Sequence, residues 1–402
     1  MVFDIESPIF KNRTVFNKKH IPTKILHREE QIKQVEERLK WALMGSKPKD
    51  HIIYGYGGTG KTMISLYVVE ELCKRTAEVA YFYVNLKEAY TEVRALNAIL
   101  DKLGDKTSKT SSSQDLFNRV FERIESLPQK HIILILDEID KVKSGYDGLL
   151  YCLLRTNEVS DVSKEITIIA TSNDFNFPAD LQIGTRSSFS YMDKLTFPRY
   201  NAIELKDIIS QRAVEGLKEG TYSNTILSLC AAYGAQEHGD ARKTIELLEK
   251  SAEIAMMGKA ATITELHVQA AREQNEYEGV YSGLKTLPIH CKAVALACVR
   301  DLKKRKTALN GDKESTSSTI YIEYKEICWR RNLQPLTQRR IVDILNDLGF
   351  LGLINCTLVF NSPYKGRNKL IEFIVDPKRI ENIITDEEIF SIFKPASNTD
   401  QD

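Results

Sequence analysis

Eight residues have the types and spacing of a phosphate cradle: Gly55-Tyr56-Gly57-Gly58-Thr59-Gly60-Lys61-Thr62. They fit the pattern G-x-x-x-x-G-K-[ST]. Its glycines let backbone N–H groups close around a phosphate chain, its lysine reaches the β- and γ-phosphates, and its hydroxyl residue binds Mg²⁺. The pattern follows a short apolar run and opens a helix, whose first turn adds favourable partial charge. Roughly 75 residues downstream, Ile132-Ile133-Leu134-Ile135-Leu136 ends in Asp137-Glu138. A buried strand delivers those acids at its carboxyl end, where open α/β sheets bind ligands. Asp137 is then the metal-side carboxylate, and Glu138 is placed to polarise an attacking water. Taken alone, each signal has a bland reading, a glycine turn or an acid after a strand. Together in one chain they select a nucleoside di- or triphosphate with Mg²⁺ as cofactors.

Two further groups follow from the same logic. Ala170-Thr171-Ser172-Asn173-Asp174 closes the next apolar run, which puts Asn173 beside the acid pair. Its alternative reading is a plain Asn/Asp turn. Gly239-Asp240-Ala241-Arg242 opens a later helix, with Asp240 as its cap and Arg242 one turn in. That cation can reach the phosphates from a second domain or simply face solvent.

The carboxyl-terminal third has the residues of a nucleic-acid reader. Glu323 to Arg331 reads as a helix, Asn332 to Pro335 as a tight turn and Thr337 to Leu348 as a second helix, stopped by Gly349. That spacing is helix-turn-helix. Ile341, Ile344, Leu345 and Leu348 share one face, and Arg339, Asp343 and Asn346 lie opposite. Gln338, Arg339 and Arg340 begin the helix, which suits entry into a major groove N-terminus first. Leu358–Phe360 and Lys369–Ile374 then flank a hairpin whose basic residues, Lys365, Arg367 and Lys369, are expected on phosphates or in a minor groove. The alternative is a winged helix that binds protein.

The elements that must position these groups are legible as patterns. Apolar runs at 51–54, 79–84, 132–136, 166–171 and 194–197 alternate with helical periodicity, which implies a parallel sheet covered on both faces. A helix spans 63–72. From about residue 200 to 279 the pattern is purely helical, with candidates at 201–217, 223–235, 241–257 and 264–277. Two or three helices and a β-rich end follow from about 286. Residues 107–113 and 310–318 read as polar loops.

Composition bounds the classes. The 402 residues carry a net charge of +1, but residues 285–394 hold 19 Lys+Arg against 13 Asp+Glu, and residues 1–284 hold 37 against 40. A basic end on a slightly acidic body puts the nucleic-acid contact there. The seven cysteines form no C-x-x-C pair, so they read as reduced core thiols. No apolar run spans a bilayer, and Met1-Val2-Phe3-Asp4 begins no basic-then-apolar signal, so no membrane role and a cytoplasmic location are expected.

Taken together, these residues resemble the AAA+ ATPases and, within them, the archaeal origin-recognition and cell-division-cycle replication initiators. The resemblance covers nearly the whole chain. It begins at Ile21-Pro22-Thr23-Lys24-Ile25-Leu26-His27-Arg28-Glu29, like the segment that cradles adenine in that family, which implies Ile25, Leu26 and Arg28 as nucleotide contacts. It implies Asn173 as sensor 1 and Arg242 as a sensor 2 contact to the γ-phosphate in cis. An α/β AAA+ P-loop domain (1–199), an all-helical lid (200–284), a winged-helix domain (285–395) and a tail (396–402) are the implied organisation. Near Leu86 to Arg94 the family has a DNA-touching insertion; here the segment is mixed in charge and reads equally as a surface helix. The chain departs from the family at its arginine finger. Gly184 stands where that arginine is expected, so Arg186 or Arg199 substitutes or trans activation is weak. A finger contributes about 10³–10⁵ in rate, so a slow switch is expected.

The implied activity is ATP-dependent replication initiation at duplex origin DNA. Partners implied by the resemblance alone are the replicative MCM helicase and paralogous or identical initiator subunits. An ATP-gated transcription regulator, or an ATPase with a protein-binding winged helix, uses the same parts.

Overall fold

The computed structural model describes residues 7–17, 20–89, 91–105, 112–141, 147–156, 163–307, 315–359 and 368–385. The chain divides into two compact units, Met1–Gln269 and Ala270–Asp402.

The first unit is built on five parallel strands: β1 (His51–Gly55), β2 (Val79–Asn85), β3 (His131–Asp137), β4 (Glu165–Ser172) and β5 (Asp193–Phe197). Their order is β2-β3-β4-β1-β5. All five lie where the apolar runs predict them, within one or two residues. The sheet is covered on both faces, and β3 divides its side chains between them with period 2. Ile133 and Ile135 pack with Ile53, Ile64 and Val68, on the side of α1 (Glu29–Leu39) and α2 (Lys61–Arg75). Ile132, Leu134 and Leu136 pack with Leu96, Ile99, Leu116 and Val120, from α3 (Glu92–Lys102) and α4 (Ser113–Glu125). Two short helices, α5 (Asp147–Leu154) and α6 (Ile183–Ser190), precede β4 and β5. Because β4 lies between β1 and β3, the carboxyl ends that carry the phosphate loop, Asn173 and Asp137-Glu138 abut.

The helical segment of this unit comprises α7 (Ala202–Gly216), α8 (Asn224–Gln236), α9 (Ala241–Met257) and the first turn of α10 (Glu265–Thr286), whose residues from Ala270 on belong to the second unit. Each of the first three has a side-chain cap: a reciprocal Asn201–Glu204 box, Ser223 and Asp240. The fourth helix runs past the expected end at 277 and across residue 284. Gly279 and Gly283 are carried inside it, and the stop is Leu287-Pro288. The amino-terminal segment is a second difference. Residues 9–15 clasp α7: Lys11 N–H donates to the Gly216 carbonyl at 2.8 Å, Lys218 N–H to Ile9 at 2.8 Å and the Arg212 guanidinium to Val15 at 3.2 Å. The segment has no periodicity, so sequence alone does not assign it to the lid.

The second unit contains α11 (Ile289–Thr307), α12 (Ser317–Arg330), α13 (Gln338–Phe350), an antiparallel pair β6 (Ile354–Val359) and β7 (Asn368–Phe373), and α14 (Pro377–Thr385). Three sequence expectations change. α12 starts six residues before Glu323, because Thr316 caps it, so the polar loop read at 310–318 ends in a helix. Residues 310–314 of that loop lie outside the described residues, as do 107–111 of the other loop. Gly349 does not stop α13; the left-handed residue is Gly352, with φ +71°. α14 was not expected. Its signature is nonetheless present: the Asp376 carboxylate accepts the Lys378 N–H at 3.0 Å, Pro377 opens the helix, and Ile380, Ile383 and Ile384 enter the core.

Candidate nucleotide site and nucleic-acid interface

Lys61 is buried at the head of α2. Its ammonium donates to the Gly55 carbonyl at 2.7 Å, the Tyr56 carbonyl at 2.8 Å and Asn173 Oδ1 at 2.8 Å. Burial lowers its pKa from the ordinary 10.5 to about 8; the nearby charge of Arg242 adds to this, and Asp137 opposes it. The loop's glycines are required by its conformation. Gly58 and Gly60 have φ of +71° and +93°, left-handed values that cost other residues about 1–2 kcal/mol. Thr59 is fully buried, and its hydroxyl closes the turn onto the Tyr56 carbonyl at 2.8 Å. Gly57 is on the exposed side of the loop.

Asp137 receives four donors. Thr62 and Thr171 hydroxyls bond Oδ1 at 2.9 and 2.5 Å; the Tyr83 hydroxyl and Asn85 amide bond Oδ2 at 2.8 and 3.3 Å. Burial and the Asp137 charge push the Tyr83 phenol up, so it is a donor at any working pH. Glu138 has φ +55°, and its N–H donates to Thr171 Oγ1 at 3.1 Å. Among the described residues its buried Oε2 meets no hydrogen-bond partner. Thr171 therefore sets both acids at once. Sequence reasoning missed Tyr83, Asn85 and Thr171. The available signal was the same one that found Asn173, a polar residue at the carboxyl end of a strand. Asn173 is fixed in turn by Asp140, whose Oδ1 accepts its N–H at 2.9 Å. Burial alone would raise the Asp140 carboxyl, but Lys141 and the Asn173 N–H hold it below its ordinary value.

The segment expected to cradle adenine divides. Leu26 is half-buried, but Ile25 packs in the core beside Ile53 and Ile64. Arg28 is 1% exposed and bonds carbonyls of the chain itself, Thr59 at 3.0 Å, His27 at 2.8 Å and Pro198 at 2.6 Å. Of the three expected nucleotide contacts, Ile25 and Arg28 turn their side chains onto the chain itself and brace the cradle from within. Asp240 caps α9 as expected, accepting the Arg242 and Lys243 N–H groups at 2.8 and 3.3 Å. It also rests on the phosphate loop: a Cβ at Gly58 would lie 1.8 Å from Asp240 Oδ1. Arg242 is exposed and lines a cavity of about 500 Å³ with Arg13, Phe16 and Glu249.

The Arg186 guanidinium turns back onto the segment before its helix and donates to the Ala179 carbonyl and to Leu181 at 2.8 Å. Arg199 lies 3.6 Å over the Tyr56 ring, in cis beside the phosphate loop. Of the segment 86–94, Leu86 and Ala89 are buried and the helix begins only at Glu92, so it is no surface helix through its first half.

In the second unit, Gln338, Arg339 and Arg340 are exposed on the first turn of α13, and Ile341, Ile344, Leu345 and Leu348 are buried beneath them. Arg340 pairs with Asp343 at 3.6 Å, and the Gln338 amide donates to Ser318 at 3.3 Å. Among the described residues Arg339 makes no ion pair or side-chain hydrogen bond. The turn between α12 and α13 is held by Tyr324, whose hydroxyl accepts the Leu336 N–H at 3.1 Å and meets His290 Nδ1 at 2.8 Å. Lys369 is in β7, half-buried, with its ammonium on Asn346 Oδ1 of α13. It lies in the strand, opposite Leu358. Lys365 and Arg367 lie outside the described residues.

A phosphate loop, a strand-ending acid pair, a polar residue on the strand between them and a helical lid define an AAA+ ATPase. The sequence matches family models along its length: an AAA domain over residues 50–172, the Cdc6 AAA+ ATPase-type lid domain over 206–273 and the CDC6 C-terminal winged helix domain over 282–383. It is 34% identical to ORC1-type DNA replication protein 1 of Sulfurisphaera tokodaii over 385 residues, 95% of this chain and 94% of that one. It is 36% identical to the ORC1-type DNA replication protein of Pyrococcus abyssi, covering 93% of this chain and 90% of that one. Among solved structures, the Aeropyrum pernix ORC1 protein in complex with DNA superposes with a TM-score of 0.84 at 30% identity, covering 97% of this chain and all of that one. The chain belongs to the ORC1-type DNA replication proteins. No helix among the described residues is long and apolar enough to cross a membrane.

Proposed function

We propose that this chain is a replication initiator that binds duplex origin DNA through its winged helix and uses ATP as a slow switch. The observation that carries this reading is the likeness, over nearly the whole chain, to an initiator whose structure was solved with DNA. The exposed Gln338-Arg339-Arg340 turn supports it, since a helix entering a major groove presents its first turn to the bases. Lys369 is a positioning group for α13 in this reading, and Lys365 and Arg367 remain its proposed phosphate contacts.

Lys61, Thr62, Asp137, Glu138, Asn173 and Arg242 are the proposed ATPase residues, with Gly57, Gly58, Thr59 and Gly60 as the phosphate cradle and Leu26 against the base. Thr62 and Asp137 fit Mg²⁺: both are oxygen donors at 2.9 Å from each other, the hard-ligand chemistry that ion takes. When bound, the ion supplies neutralisation of phosphate charge. Glu138 takes the proton of the attacking water, Lys61 and Arg242 stabilise charge on the terminal phosphate, and Asn173 orients the group that Lys61 holds. The functional divisions proposed are 1–199, 200–284 and 285–395, with 396–402 as a tail. Proposed partners are the replicative MCM helicase and identical or paralogous initiator subunits, in the cytoplasm.

The test is footprinting of the full chain on genomic DNA of its source. Protection of origin repeats is expected. Protection of promoters would establish a transcription regulator, and absence of protection a protein-binding winged helix.

A further inference from the structure

Arg28 is the largest fully buried side chain among the described residues, and no carboxylate hydrogen-bonds its guanidinium. A buried charge is retained only where several polar groups converge on it. Here they come from three separate segments. Nε–H donates to the Thr59 carbonyl in the phosphate loop at 3.0 Å. One terminal nitrogen donates to His27 at 2.8 Å, at the head of α1. The other donates to Pro198 at 2.6 Å, in the linker from β5 to the lid. The flat face of the guanidinium lies 3.6 Å from the Tyr200 ring centre in the same linker. Burial lowers the Arg28 pKa, while Tyr200, Glu204 and Glu29 oppose the shift.

The contacts continue into the lid. Gly239 has φ +69° and lies on the Tyr200 backbone, where a Cβ would stand 2.4 Å from the Tyr200 carbonyl oxygen. The next residue, Asp240, packs on Gly58, and Ala241 N–H points at the Gly58 carbonyl at 3.4 Å. The path therefore closes: Thr59, Arg28, Tyr200, Gly239, Asp240, Gly58. It leaves the phosphate loop through its buried side and returns to it through the lid.

We propose that Arg28 and Tyr200 are positioning residues that couple occupancy of the phosphate loop to the placement of the lid. This rests on the ATP-switch reading above. A movement of the Thr59 carbonyl on phosphate binding shifts an acceptor of Arg28, and the rigid planar fork passes the shift to Pro198 and Tyr200. Lysine, a point charge on a flexible stem, cannot hold three carbonyls in fixed directions while stacking on a ring.

The experiment uses the full chain as wild type, Arg28→Lys and Tyr200→Leu. Hydrogen exchange of the amides at 239–244 is followed with and without ADP or a non-hydrolysable ATP analogue, and nucleotide affinity is measured by calorimetry. In wild type, nucleotide should slow this exchange by roughly 5–150-fold, the usual span of coupling between two sites. Each variant should still bind nucleotide, within about tenfold of wild type, but lose that protection. A folded variant that keeps wild-type protection overturns the proposal. Failure of both variants to fold also overturns it, because the cluster would then be core packing and not a coupling device. If wild type itself shows no nucleotide-dependent protection of the lid, the switch reading is what fails.

Discussion

Lys61 Nζ and Asn173 Oδ1 lie 2.8 Å apart, which ties the phosphate loop to the loop that follows the neighbouring strand. Glu138 stands across that contact on the other side of β4, with its N–H on Thr171. The lysine and the glutamate therefore serve different steps. Lys61→Ala should abolish nucleotide binding in calorimetry. Glu138→Gln should bind ATP as wild type does and lower hydrolysis by about 10²–10⁴, the scale of general-base loss. Equal ATP affinity in wild type and Lys61→Ala would defeat this assignment.

Burial gives Lys61 a pH signature. Its pKa of about 8 lies below the ordinary 10.5. Between those values the unfolded chain holds more protons than the folded one, so this residue's contribution to stability rises with pH across that window. Nucleotide binding responds in the opposite direction, because phosphate favours the ammonium. Above about pH 8, ADP binding should take up close to one proton, and affinity should fall by up to about tenfold per pH unit. Calorimetry at pH 9 in two buffers of different ionisation enthalpy measures the uptake; none should be seen with Lys61→Arg.

Gly58→Ala tests the lid contact. The substitution adds left-handed strain of about 1–2 kcal/mol and drives a methyl group into the Asp240 carboxylate. Thermal unfolding should show the loss. A double substitution, Gly58→Ala with Asp240→Gly, should recover the steric part but not the strain. An unchanged melting temperature for the single variant would mean that Asp240 does not rest on the loop in solution.

Much of this site is legible in the sequence because its residues fall at strand ends. The apolar runs fix where β1, β3 and β4 stop, and chemistry gathers at those stops. What is not legible is which neighbour a side chain chooses. Arg28 and Lys369 carry charges that sequence assigns to ligands, yet the structure turns both onto the chain, one to carbonyls and one to Asn346. Polar side chains with internal partners look the same in sequence as those that face a ligand. The clasp of residues 9–15 on α7 is hidden for another reason: on the side of that segment its hydrogen bonds use backbone groups, which every residue has.

Arg186 is bonded to carbonyls of its own loop, and Gly184 stands at the expected finger position. Hydrolysis should therefore be slow, well below the roughly 10 s⁻¹ typical of enzymes, with and without origin DNA. Arg186→Ala should leave the single-turnover rate within about twofold of wild type and lower the melting temperature instead, as loss of hydrogen bonds from a charged group does. A rate loss confined to assemblies would identify Arg186 as the finger after all.

The first turn of α13 separates base reading from phosphate binding. Arg340 pairs with Asp343 and Gln338 with Ser318, which leaves Arg339 as the side chain on that turn without an ion pair among the described residues. A bidentate arginine–guanine contact discriminates by about 1–3 kcal/mol. Arg339→Ala in the full chain should therefore weaken origin binding by about 5–150-fold and leave binding to random duplex nearly intact. Lys369 holds Asn346 on the same helix, so Lys369→Ala should act through α13 and reduce specific binding more than non-specific binding. Arg367→Ala should do the reverse in character, weakening both and lowering the salt slope by about one unit, as a phosphate contact does. Salt titrations on origin and random duplexes check all three. If Arg339→Ala lowers both affinities equally, the turn touches phosphates only, and sequence is read elsewhere.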